Sequence, residues 1–94
     1  MRVETMRVVR VGDEAVEALD EPRFRAVLEL ADRVAGPGQG FPQLRRVARG
    51  EPVDPDEFLA ELHTLALKAA PSPLAGVIGH LRRATLIARA RAER

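Results

Sequence analysis

Ninety-four residues carry a formal net charge of +1 and no cysteine. That length allows one domain with a modest core, and the missing thiols exclude disulfides, thiolate metal sites and a cysteine nucleophile. Near-neutral charge argues against a chain that binds polyanions with its whole surface, and no apolar run approaches the roughly 20 residues of a membrane-spanning helix.

Residues 2–11 alternate in the manner of a strand, with Val3, Thr5, Arg7, Val9 and Val11 on one face and Met6 and Val8 on the other. Gly12 ends it. No later segment reads as a second strand, so its unpaired backbone groups point to pairing across a dimer, addition to a partner's sheet, or a disordered arm. Asp13 to Leu19 fits a short helical piece with Ala15, Val16, Ala18 and Leu19 apolar, interrupted by Pro22. Asp20 caps a fresh helix through about Ala35, with Phe24, Val27, Leu28, Ala31 and Val34 inward. One bent helix over 13–35 is the alternative.

Gly36-Pro37-Gly38-Gln39-Gly40 provides a C-cap and a turn. A short helix follows from about Phe41 to Arg49, with Leu44, Val47 and Ala48 inward and Arg45, Arg46 and Arg49 outward. Gly50 to Val53 connects it to the strongest helix start in the chain, Asp54-Pro55-Asp56-Glu57. There a capping box is expected, with Asp54 accepting from the Glu57 amide and Glu57 reaching back to the Asp54 amide. Phe58, Leu62, Leu65, Ala66 and Ala69 then share one face. After Ala70-Pro71, Ser72 and Pro73 open a last helix striped by Leu74, Val77, Ile78, Leu81, Ala84, Thr85 and Ala88. Helices joined so briefly lie antiparallel.

The expected fold is therefore all-α. It comprises four helices in two antiparallel αα-hairpins (residues 13–94), preceded by a short β-strand or arm (residues 1–12) able to pair across a dimer. A shift of thirty-four residues superposes Asp20 on Asp54, Phe24 on Phe58, Leu28 on Leu62 and Ala35 on Ala69. That is the length of a tetratricopeptide unit, but the signature positions of that unit are not matched. The overlap reads either as two αα-hairpins of similar design or as coincidence between capped, Ala/Leu-rich helices, with coincidence the preferred reading.

Each motif that invites chemistry has a simpler account. The glycine loop ahead of residues 41–49 has the form of a phosphate cradle with Arg45 or Arg46 assisting. It follows a helix rather than a strand, however, and lacks the Lys-Ser/Thr ending of a P-loop. His63 and His80 have no metal-ligand spacing around them. Asp54, Asp56 and Glu57 are explained by starting a helix, as is Ser72. No catalytic, cofactor-binding or metal-binding residue is assigned, and the chain is not expected to be an enzyme.

Charge is unevenly placed. From Asp13 to Asp32 there are seven acids against Arg23 and Arg25, whereas Arg82, Arg83, Arg89, Arg91 and Arg94 cluster at the other end against Glu93. Lys68 is the only lysine, which with abundant alanine reads as the bias of a GC-rich, bacterial-like genome. The candidate partner-binding residues are Arg7, Arg45, Arg46, Arg82, Arg83 and Arg89.

The segment Ala18-Leu19-Asp20-Glu21-Pro22-Arg23-Phe24-Arg25-Ala26-Val27-Leu28-Glu29-Leu30-Ala31 resembles the opening helices of winged-helix repressors of the ArsR type. No Ser/Thr-rich recognition helix and no β-wing follow it. A strand followed by helices resembles ribbon-helix-helix repressors, which implies Arg2, Met6 and Arg10, or Arg7 on the opposite face, as base readers. Four helical segments follow here where that fold uses two, and neither family is assigned. The expected function is a non-catalytic protein–protein interaction or regulatory module, homodimeric and cytoplasmic, since Met1-Arg2-Val3-Glu4 does not begin a signal peptide. Its partner is another protein or itself. A small DNA-binding regulator using the strand or the C-terminal arginines is the alternative.

Overall fold

Gly12 and Asp13 turn the chain back on itself, so the N-terminal strand finds its partner within the same molecule. The computed structural model describes residues 6–36, 40–69 and 72–92. It has a strand β1 (Met6–Val11) paired antiparallel with β2 (Glu14–Asp20), then four helices: α1 (Glu21–Ala35), α2 (Pro42–Ala48), α3 (Pro55–Ala69) and α4 (Leu74–Ala92). The fold is α+β, which corrects the all-α expectation. The helical piece expected over Asp13–Leu19 is β2, and an unpaired β1 seeking a second subunit is not what the chain builds. The remainder of the expected strand, residues 2–5 with Val3 and Thr5, lies outside the described residues.

The physical reason for the misreading is a bulge. Val9 faces Glu17 and Arg10 faces Ala15, leaving Val16 with no residue opposite it. In a regular strand Val16 and Leu19 would point to opposite faces. The extra residue brings both toward the core, Leu19 buried and Val16 partly so. A three-residue apolar step, the mark of a helix in sequence, is here the mark of a bulged strand. Gly12, at φ 59°, occupies the left-handed region that a two-residue hairpin requires of its first turn residue. β1 gains a second neighbour on its other side, where the Val53 N–H donates to the Arg10 carbonyl at 2.8 Å and Val53 bridges Val11 in parallel.

The helices begin and end close to where their caps predict. Asp20 Oδ1 accepts the Arg23 amide at 2.9 Å, and Gly36 closes α1 by donating to the Asp32 carbonyl at 2.8 Å. α3 and α4 form the antiparallel hairpin expected of them. Val9, Leu19, Phe24, Val27, Leu44, Val47, Phe58, Leu62, Leu65, Ile78 and Leu81 make one core between the inner hairpin face and the helices. Each such side chain contributes about 1.5–3 kcal/mol on burial. Thr85 is the hydroxyl sealed into it, satisfied by donating to the Leu81 carbonyl at 2.8 Å.

Candidate interaction surfaces

Around the α2–α3 junction the polar groups depart from the expected capping box. Asp54 Oδ1 accepts the Asp56 amide at 3.0 Å, but Glu57 does not return to Asp54. Its carboxylate instead accepts the Gln43 side-chain amide at 2.7 Å, while Gln43 Oε1 accepts the Asp54 N–H at 2.8 Å. Gln43 is 5% exposed, so both ends of a buried amide are satisfied, as burial requires. The Glu61 carboxylate closes the start of α2 by accepting the Gln43 and Leu44 amides, each at 2.9 Å. It does so because Phe41, at φ 50°, offers α2 no side-chain cap of its own. Burial pushes the Glu61 carboxyl above its usual range and the negative charge of Glu57 adds to this, while the two amide bonds pull it back.

This arrangement answers the phosphate-cradle reading. The α2 amides at Gln43 and Leu44 are already taken by Glu61, and Arg45 turns to Asp32 at 2.6 Å. Residues 37–39 of the glycine loop lie outside the described residues.

The other candidate arginines divide by location. Arg7 reaches inward, with Nε and Nη2 on the Glu21 carboxylate at 3.0 and 3.3 Å, Nη1 donating to the Ala48 carbonyl at 3.2 Å, and its guanidinium carbon 5.7 Å from the centre of the Phe24 ring. It ties β1 to the start of α1 and the end of α2. Arg46 lies 3.8 Å from Glu51, whose carboxyl is held below its usual range chiefly by a hydrogen bond from Arg49. Arg89 pairs with Asp56 at 2.9 Å across the α3–α4 hairpin. Arg82 and Arg83 stand exposed on α4, with no ion pair to a described residue.

His80 meets Glu17 and Arg91 meets Glu14, so two pairs fasten α4 to β2. His63 is exposed on α3. Among the described residues no group of three or more His, Asp or Glu side chains is arranged to hold a metal, and no helix is long and apolar enough to cross a membrane.

Sequence reasoning missed Gln43 and Glu61, which act through residues distant in the chain, and it missed the exposed apolar side chains. Leu67 is 68% exposed, Ile87 50%, and Leu86 and Met6 each 46%. Leu67, Leu86 and Ile87 do fall off the inward stripes of their helices, and that was the available signal. A hollow of about 170 Å³ opens between β2 and α4, with Val16, Ala84 and Ile87 in its walls. Compared with protein-family models, with curated proteins and with solved structures, the chain matches none.

Proposed function

We propose that this chain is a non-catalytic protein-interaction or regulatory module. The observation that carries the reading is how its polar groups are used. Asp20, Asp54 and Glu61 bond to backbone amides at helix starts. Glu14, Glu17, Glu21, Asp32 and Asp56 each face an arginine or histidine of the same chain. Carboxylates engaged in this way serve the fold, whereas Leu67 of α3 and Leu86 and Ile87 of α4 keep about half or more of their surface in water. Exposed apolar side chains beside charged ones are the ordinary substance of a protein contact. The partner is another protein or a second copy of this chain, and a cytoplasmic setting belongs to the same proposal.

Sedimentation of the pure chain, mild cross-linking and capture of bound proteins, and titration with random duplex DNA at two salt concentrations test it together. The expected result is one stoichiometric protein complex, or self-association, and no appreciable duplex binding. A monomer that captures nothing reproducibly would overturn the proposal. So would tight duplex binding that weakens steeply with salt, as phosphate contacts must, since that outcome makes the chain a DNA-binding regulator.

A further inference from the structure

We propose that the outward stripe of α4 is a seam on which an acidic amphipathic helix of another protein docks. This rests on the interaction-module reading and deepens it by naming the surface and the chemistry of the partner.

α4 has two stripes. Leu74, Ile78, Leu81, Thr85 and Ala88 step by four and three residues and meet the rest of the fold, four of them fully buried. On the other side Gly76, Gly79, Arg83, Leu86 and Ala90 step by three, four, three and four, and all five are exposed. That spacing keeps five side chains on one line along the helix, the geometry by which one helix packs against another. The line runs for about 21 Å at 1.5 Å per residue. Ile87 flanks it on the β2 side and Arg82 on the α3 side.

The stripe offers three complementary things. Leu86 and Ile87, each about half exposed, supply apolar contact at its C-terminal half. At its N-terminal half a Cβ built on Gly76 or Gly79 meets nothing within 4 Å, so a second backbone has room to approach closely there. Between them lies uncompensated positive charge. The other arginines described on α4 are paired within the chain, Arg89 with Asp56 and Arg91 with Glu14. Arg82 and Arg83 face no carboxylate among the described residues, and a partner that covers Leu86 must also cover them. Covering them at low cost demands negative groups, because an unpaired buried charge is strongly unfavourable.

The same charge argues against a second copy at this face. A parallel pair of copies, or an antiparallel pair centred on the stripe, sets Arg83 against its own counterpart, with Arg82 close by. Like charges brought together in this way favour a different partner.

The test uses the isotope-labelled full chain and synthetic helical peptides of about four turns. One peptide carries leucines at three- and four-residue steps flanked by glutamates, and its control replaces every glutamate with lysine. The expected result is amide shift changes at Gly76, Gly79, Arg83 and Leu86, binding that weakens with salt, and a preference of at least about tenfold for the acidic peptide. The double variant R82E/R83E should lose or reverse that preference while its circular dichroism stays that of the parent. The proposal is overturned by equal binding of both peptides, or by shifts confined to other elements. It is equally overturned by self-association through these residues, or by random duplex DNA binding at Arg82 and Arg83. A chain that captures a protein partner while this stripe stays unshifted sinks the seam but leaves the interaction-module reading standing.

Discussion

The Glu61 carboxylate of α3 accepts the backbone N–H of Gln43 at 2.9 Å, so one helix supplies the cap of another. Leu44 donates to the same carboxylate, also at 2.9 Å. Replacing Glu61 by Ala leaves two amides at a half-buried helix start without an acceptor, at a cost of about 2–3 kcal/mol. E61Q, which keeps one acceptor oxygen, should cost less. Urea unfolding of the three proteins reads both numbers.

Glu61 also has a pH signature of definite sign. Its carboxyl is raised in the folded state, with burial the largest cause. A raised carboxyl binds its proton more tightly folded than unfolded, so its contribution to stability is fully present below the unfolded value and is lost as pH rises through the folded one. The stability advantage of the parent over E61Q should therefore shrink as pH climbs from the ordinary carboxyl value of 4.5 toward neutrality. An advantage that grows over that range would mean the two amide bonds outweigh burial.

Gln43 should behave as a bridge rather than as a filler. Q43L keeps the bulk but leaves the Asp54 amide and the Glu57 carboxylate without their side-chain partner, which predicts a loss of about 1–3 kcal/mol. In a double-mutant cycle with E57Q, the two positions should couple by about 0.5 kcal/mol or more. Strict additivity would show that the 2.7 Å contact between them contributes nothing.

Gly12 tests the hairpin. At φ 59° with open space around its Cβ position, the only obstacle to a side chain is the backbone conformation itself. G12V should destabilise by about 1–2 kcal/mol, and G12N, which tolerates the left-handed region, by less. Equal tolerance of both would remove the tight turn, and with it the intramolecular pairing of β1.

Gly76 and Gly79 predict the opposite sign. Each lies inside α4 where an added methyl meets nothing, so G76A and G79A should each stabilise the isolated chain by about 0.5–1 kcal/mol. Thermal or urea unfolding checks this directly.

How far these features can be read from the sequence depends on how local they are. The helix starts at Asp20 and before Pro55 and the stop at Gly36 rest on neighbours within four residues, and they appear where the caps place them. β2 was illegible because its alanines and glutamates favour a helix and its apolar spacing mimics one. Pairing with the valines of β1 overrides that preference. The capping box failed for a related reason. Asp54 and Glu57 have the right spacing, but Gln43 arrives from a different helix and takes up both groups. At the surface, the arginine-rich end was visible as composition. Which arginines of α4 face no carboxylate among the described residues depended on Glu14 and Asp56 being folded against that helix.

The bond from Val53 to the Arg10 carbonyl joins the connector between α2 and α3 to the outer side of β1. The β1–β2 turn closes over two residues and can assemble from nearest neighbours, whereas this bond brings together segments separated by the whole of α1 and α2. The Val53 amide is therefore a probe of that long-range closure: its exchange with deuterium should track loss of the contact between β1 and the α2–α3 connector rather than fraying of the β1–β2 hairpin.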